Sequence, residues 1–262
     1  MGSDVNKHGL RRYVPSDVRR AIRQRCGFGC VICGFGFYDY EHFDPDFSEA
    51  KIHNPDGMTL LCSQCNQKRA RGRLSVATVA KANQNPKCRQ QGFASEFFDF
   101  GINPIAIVLA SNRFYDCKHV LVINDVPILS LNPPTQPGES FRISGIFTDE
   151  LGRIALTIRD NEWKARLLNW DVECEGPNIL VRTDLGKIAL HLFMDPEASR
   201  LTIKRIEMQY ESVRLHGDET TLQFSINGQQ WSSISSNSIE SCYCGISIDA
   251  GPKSANEPFF EL

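Results

Sequence analysis

Short apolar runs alternate with polar turn residues along most of this chain, and their spacing changes near residue 105. Before that point, Val18, Ala21 and Ile22 recur at helical spacing behind Ser16 and Asp17, which favour the start of a helix. After that point, short runs of strand-forming residues are separated by Gly, Asn and Asp, a pattern typical of antiparallel strands. The pattern therefore predicts helices in the first part and a β-rich second part.

Capping and turn residues divide the first part into a helix, a hairpin and two more helices. In chain order, the predictions are a helix from Ser16 to Gly27, a hairpin whose strands end at Phe43 and at Leu61 around a loop at 44–58, a helix within 62–71 that stops at Gly72, and a helix capped by Ser75 that ends before Pro86.

A weak internal repeat lies in the β-rich part. Residues 148–156 (TDELGRIAL) are echoed by 183–190 (TDLGKIAL), which predicts two similar β-turn-β units. In each unit a glycine, Gly152 or Gly186, occupies the position where a tight turn needs positive φ. Two copies are too few for a solenoid, so an antiparallel sandwich or a barrel-like sheet is predicted.

Charge supports a division into two domains. Residues 1–90 hold 15 Lys and Arg against 8 Asp and Glu, a net charge of +7, and the remaining 14 against 23 give −9. A basic part suits a polyanionic partner, whereas an acidic part does not. We predict an α+β protein with a first domain at 1–90, a junction at 91–104 and a β domain at 105–262.

Ten cysteines raise the question of disulfides. The start of the sequence has no apolar h-region, so we expect neither secretion nor the disulfide scaffold of short secreted chains. The chain is expected to be cytoplasmic, without a membrane span. Two Cys-x-x-Cys pairs, Cys30/Cys33 and Cys62/Cys65, have the spacing of a structural zinc site. Cys26 is an alternative ligand to Cys30. The remaining cysteines are expected to be reduced thiols, with those of Cys242-x-Cys244 on one face of a strand.

The residues between and just after these pairs resemble the HNH endonucleases, whose ββα-metal fold holds one divalent ion between a hairpin and a helix. The resemblance covers roughly residues 11–75. It rests on the two cysteine pairs, on Tyr40-Glu41-His42-Phe43 between them, and on Thr59-Leu60-Leu61 before the second pair. It implies that His42 is the general base, and that Glu41 and Asn66 hold the catalytic ion.

The match departs from the common family pattern at three positions. Glu41 stands where Asp is usual, and Asn66 stands where His is usual, a variant that resembles endonuclease VII. Gly57 occupies the position of an asparagine that braces the loop by hydrogen bonds, a role that Asn54 or Asp56 could take.

The chemistry can also be argued without the family. A neutral histidine can take a proton from water near pH 7, and Mg²⁺ or Mn²⁺ prefers the oxygen ligands that Glu41 and Asn66 offer. The alternative for His42 is a histidine packed beside the zinc site. His53 is expected to be an ordinary loop residue, with a third metal ligand or a phosphate contact as alternatives.

Basic residues follow Asn66 and are predicted to contact the DNA backbone, with a solvated helix face as the alternative; they are Lys68, Arg69, Arg71 and Arg73. Three arginines of the first helix, Arg19, Arg20 and Arg23, are open to the same two interpretations.

Together these features predict a metal-dependent DNA endonuclease with structural Zn²⁺ and catalytic Mg²⁺ or Mn²⁺. The alternative is a zinc-ribbon module that binds nucleic acid without cutting it. The β domain lacks a catalytic constellation and is expected to serve specificity, sensing or dimerisation, through a second copy or a regulatory protein. By analogy alone, this pairing suggests prokaryotic antiviral defence or a mobile element.

Overall fold

The structure is a computed structural model that describes residues 5–136 and 138–251. Its helices are α1 (Ser16–Cys26), α2 (Ser63–Ala70), α3 (Val76–Gln84) and α4 (Lys87–Gln91), and a 3-10 turn covers Pro55–Gly57. A separate antiparallel hairpin pairs β1 (Asp39–His42) with β2 (Met58–Leu61). In this described part of the chain, no helix is both long enough and apolar enough to cross a membrane.

Fifteen further strands form one large sheet. They are β3 (Phe93–Phe97), β4 (Ala106–Leu109), β5 (Asn112–Ile123), β6 (Val126–Asn132), β7 (Arg142–Thr148), β8 (Ile154–Arg159), β9 (Glu162–Arg166), β10 (Asp171–Glu175), β11 (Asn178–Asp184), β12 (Lys187–Asp195), β13 (Arg200–Tyr210), β14 (Val213–Gly217), β15 (Leu222–Ile226), β16 (Gln230–Ile234) and β17 (Ser238–Ile248). Neighbours are antiparallel except for β13 with β4 and β17 with β5, which confirms the mostly antiparallel sheet.

The large sheet curls until strands that are distant along its path meet. The hydroxyl of Thr148 at the end of β7 donates to the carbonyl of Gln209 in β13, and the Gln209 amide donates to the Asp149 carbonyl at 2.9 Å. The concave side encloses one apolar core. Gly152 and Gly186 have φ of 77° and 75° in the turns after β7 and β11, which confirms both predicted turns.

The helical part packs directly against this sheet. Phe35 forms an isolated bridge with Ser95, which belongs to β3, a strand within the predicted junction. Gly36 lies on the indole of Trp163 so closely that an added Cβ would be 2.1 Å from the ring. Only glycine fits that approach, and the turn that carries the first cysteine pair is therefore pressed onto β9.

Helix α1 is joined to the sheet by buried ion pairs. The guanidinium of Arg23 is 3% exposed and donates to both carboxylate oxygens of Asp171, at 2.8 and 2.6 Å, and to Glu173 at 2.8 Å. Its remaining contact is with the hydroxyl of Tyr40 in β1, at 2.6 Å. Neither interpretation of Arg23 made from the sequence holds, since it is neither solvated nor free for phosphate.

Two further arginines of α1 also face the sheet. Arg19 lies 3.2 Å from the carboxylate of Glu175, and the guanidinium of Arg20 lies over the ring of Trp170 at 5.2 Å. A one-dimensional pattern could not anticipate these partners, because they are about 150 residues away along the chain. Arg19 and Arg23 therefore dock this helix on the acidic edge of the sheet, and Arg20 packs on Trp170 directly before β10.

Candidate functional site

The two cysteine pairs converge in one cluster. Cys30 and Cys33 lie in a tight turn in which the Gly34 amide donates to the Cys30 carbonyl at 2.8 Å. Cys62 caps α2, and Cys65 lies in its first turn. All four sulfur atoms lie within 4.8 Å of one another. A tetrahedron with Zn–S bonds of about 2.3 Å places its sulfurs about 3.8 Å apart, so the cluster could hold a metal ion such as zinc.

Two separations within the cluster agree with that fit. The sulfur of Cys33 is 3.5 Å from that of Cys62 and 4.0 Å from that of Cys65. Thiolates this close repel one another, and burial strengthens the repulsion. A cation would remove it. Cys26, the alternative ligand, lies outside the cluster, with its sulfur 3.9 Å from the Thr59 hydroxyl.

The cluster fixes the position of Asn66 relative to β1. Because Cys62 and Cys65 anchor the start of α2, the next side chain, Asn66, points toward the hairpin. Its amide nitrogen donates to the Glu41 carboxylate at 2.5 Å. Burial raises the pKa of Glu41, and this hydrogen bond from Asn66 opposes the rise. Two of the predicted site residues, 25 positions apart in the chain, are therefore in contact.

His42 makes a contact that sequence reasoning missed. Its Nε2 lies 3.0 Å from Nδ1 of His53, and Nε2 of His53 lies 2.9 Å from the carbonyl oxygen of Arg11. Since a carbonyl can only accept, His53 carries its proton on Nε2, and its Nδ1 accepts from His42 when both rings are neutral. Nδ1 of His42 is then the ring nitrogen with a free lone pair.

The surroundings of His42 favour its neutral form. Burial lowers its pKa, the neighbouring His53 lowers it further, and Asp46 opposes both effects. The Phe47 ring, 5.6 Å from the imidazole between centroids, covers another side. His53, Asp46 and Phe47 all come from the loop that the sequence marked only as polar. The loop therefore forms part of the site.

Gly57 ties this loop to the end of β1. Its carbonyl accepts from the amides of Phe43 and Asp44, at 3.0 and 3.2 Å. A Cβ at Gly57 would lie 2.0 Å from the Asp44 carbonyl oxygen, so an asparagine cannot occupy this position without a backbone shift. Asn54 accepts from the Asp56 amide and so caps the 3-10 turn. Backbone hydrogen bonds at Gly57 thus brace the loop.

The predicted DNA-contacting residues fall into two groups. Lys68, Arg71 and Arg73 are exposed, and they form no ion pair within the described part of the chain. Arg69 differs, because it is paired with Asp46 at 2.6 Å and only 23% of its side chain is exposed. Three cations are therefore available beside Asn66, and the fourth holds the loop against α2.

Comparison of the chain with protein-family models, with curated proteins and with solved structures found no match. The site must therefore be interpreted from its own residues.

Proposed function

We propose that this protein is a metal-dependent DNA endonuclease of the HNH type, with His42 as its general base. One observation carries the proposal: Glu41 and Asn66 touch beside His42, on elements that the cysteine cluster holds together. A carboxylate and an amide can supply oxygen ligands for a divalent ion, and a neutral imidazole can act as the general base in hydrolysis of a phosphodiester. The hairpin and α2 would then form the ββα-metal arrangement.

His42 would take the proton of the attacking water. The hydrogen bond from its Nε2 to His53 leaves the lone pair of Nδ1 for this purpose. His53, which is itself held by the Arg11 carbonyl, would act as a positioning residue that fixes the tautomer and the ring orientation.

Glu41 and Asn66 would hold Mg²⁺ or Mn²⁺ through oxygen atoms. The bound ion would supply charge stabilisation at the phosphate and the leaving oxygen. The Asn66 amide group presents its nitrogen to Glu41, and a half-turn of that group would present its oxygen instead. The oxygens of both side chains would then be available as ligands of the ion.

Lys68, Arg71 and Arg73 would contact the phosphates on either side of the scissile bond. Such contacts give affinity without reading the sequence, and they make binding salt-dependent.

Cleavage of supercoiled plasmid DNA by the zinc-loaded protein with Mg²⁺ or Mn²⁺ tests the proposal. We expect His42→Ala to reduce the rate about 100-fold or more, since it removes the base, and Glu41→Gln to reduce it strongly. The matched control is His191→Ala, which removes a half-buried histidine of the sheet that contacts Asn178. Full activity of His42→Ala would exclude His42 as the base.

The second candidate function is a zinc-ribbon module that binds nucleic acid without cutting it. The exposed cations beside α2 favour it, because they are available whether or not Glu41 and Asn66 hold an ion. It predicts salt-sensitive DNA binding that is unaffected by chelation of Mg²⁺, and no cleavage with either metal. The same plasmid and a binding titration therefore separate the two functions.

A further inference from the structure

Two cysteines of the large sheet lie side by side, outside the metal cluster. Cys117 in β5 and Cys242 in β17 are register partners in a parallel pair, and their sulfur atoms are 2.7 Å apart. An S–S bond is about 2.05 Å long, so a small movement would join them. Both are free thiols in this structure.

The backbone of both strands is irregular at this point. Asp116 has φ of 49° and Ser241 has φ of 50°, and each residue directly precedes one of the cysteines. Non-glycine residues rarely adopt positive φ, and such outliers concentrate at functional positions. The two irregular residues lie opposite each other in the neighbouring strands. The pairing of β5 with β17 therefore stays in register and brings the two thiols together.

The two thiols differ in accessibility. Cys117 is 1% exposed, and burial raises its pKa to about 11. Cys242 is half-buried and precedes Tyr243, which is 70% exposed. Solvent-borne reagents therefore reach Cys242 first, and Cys117 lies behind it as a neighbouring thiol.

We infer that Cys117 and Cys242 form a redox modification site at which a hydroperoxide converts two thiols into a reversible disulfide. The Cys242 thiolate attacks the peroxide: an S–O bond forms, the O–O bond breaks, and the leaving oxygen departs as water or an alcohol. Cys117 then attacks the sulfur of this sulfenic acid, so that the S–S bond forms, the S–O bond breaks and water leaves with the Cys117 proton. A dithiol reductant restores both thiols by exchange.

Such a bond would fasten β17 to the rest of the sheet. In the described part of the chain, β5 is the only strand that pairs with β17. Cross-linking the pair closes a loop of 125 residues, which restricts the unfolded chain and raises the unfolding temperature. The inference is independent of the proposed nuclease activity, because it concerns another region and another reaction.

Peptide mapping of the full-length, zinc-loaded protein tests the inference. The reduced protein is treated with one equivalent of hydrogen peroxide, alkylated and digested with trypsin. We expect alkylation of Cys117 and Cys242 to be lost, a disulfide to join their peptides, and dithiothreitol to reverse both changes. Persistent alkylation of Cys117 and Cys242 while other cysteines oxidise would overturn the inference.

Three variants define the partners and the order of the steps. Trypsin leaves Cys242 and Cys244 in one peptide, so Cys244→Ser is the matched control and should still form the disulfide. In Cys117→Ser, a sulfenic acid should remain on Cys242 and be trapped by dimedone. In Cys242→Ser, Cys117 should stay a thiol. A disulfide between Cys117 and Cys244 in the wild-type protein would overturn the assignment. The peptide map of the wild-type protein tests the inference even if a variant folds poorly.

Discussion

The helical region before residue 92 and the large sheet after it are held together in different ways. The core of the helical region contains ten buried apolar residues, of which Cys30, Cys62 and Cys65 belong to the metal cluster. The sheet instead encloses large buried side chains such as Trp163 and Phe114. A core as small as the first provides little stability of its own. The proposed active site thus lies in the region that depends most on a metal ion and on docking.

The two regions also use their charges differently. The helical region leaves Lys68, Arg71 and Arg73 exposed, whereas the sheet places Asp171 and Glu173 against Arg23. Part of the negative charge of the sheet therefore holds the basic region in place. The opposite net charges that suggested two separate domains also provide the contact between them.

Removal of the metal should have the largest effect on stability and would distinguish the stability of the helical region from that of the sheet. Binding of a structural zinc ion can contribute on the order of 10 kcal/mol to folding. We expect a strong chelator, or Cys65→Ser, to unfold the helical region while the sheet keeps its far-ultraviolet circular dichroism. Trp163 fluorescence should shift, because Gly36 packs on that ring. Elemental analysis should find one zinc per chain before treatment and none afterwards.

Cys26→Ala is the matched control for this experiment. Cys26 is fully buried in the same core but lies outside the metal cluster. The variant should keep its zinc and lose only the stability of a small buried side chain. Complete unfolding of the sheet on chelation would show that the two regions form one cooperative unit whose stability depends on the metal throughout.

Arg23→Met should have the next largest effect, because it breaks the contact between the regions. It leaves Asp171 and Glu173 with Arg182 as their nearest cation, at 3.0 and 2.8 Å, so the cost should lie below the ~3–5 kcal/mol of a buried charge left unpaired. Equilibrium unfolding in urea measures the loss. Cleavage should fall as well, since Arg23 also contacts Tyr40 beside Glu41. Arg20→Met, which removes only a contact with Trp170, should change stability by less than about 1 kcal/mol.

Local features of the helical region could be predicted from the sequence. The strand Met58–Leu61, the helix ended by Gly27 and the helix capped by Ser75 all lie as expected. Their signals are contained within a few residues, as a capping side chain or a turn glycine. The convergence of the cysteine pairs was equally accessible, because metal geometry restricts their spacing.

Features that depend on distant residues could not be predicted. His53 was expected to be an ordinary loop residue, yet it contacts His42 across a loop that has no periodicity. The pairing of Cys117 with Cys242 depends on a parallel register between strands 125 residues apart. The order of the strands in the curled sheet likewise leaves no signal in the hydrophobic pattern.

Gly57→Ala should have a moderate effect and would sharpen the role of the loop. The new Cβ would meet the Asp44 carbonyl oxygen, and overpacking of this kind costs about 1–3 kcal/mol. Because Gly57 braces the end of β1, we expect the displacement to reach His42 and to lower kcat more than the affinity for DNA. Gly72→Ala is the control for backbone strain away from β1, because its φ of 68° strains an alanine although nothing lies within 4 Å of the added Cβ. Equal cleavage rates for the two variants would exclude a role of the brace in catalysis.

A smaller effect, that of pH, tests whether charge joins the regions. Burial of Glu173 would raise its pKa, but Arg23 and Arg182 outweigh burial, so its pKa lies below the ordinary value of 4.5. The unfolded chain therefore binds a proton at higher pH than the folded chain does. The stability that Glu173 contributes is fully present above 4.5 and is lost as pH falls through the folded pKa.

Urea unfolding of wild-type protein and of Glu173→Gln at several pH values below neutrality measures this contribution. The wild type should lose stability more steeply than the variant as the solution is acidified below the ordinary pKa, because only the wild type has a carboxylate to protonate at this position. Glu175→Gln, which removes an exposed partner of Arg19, should keep the wild-type slope. If Glu173→Gln also keeps that slope, the contact between the regions depends on Asp171 and on packing, and Glu173 contributes nothing that pH can remove.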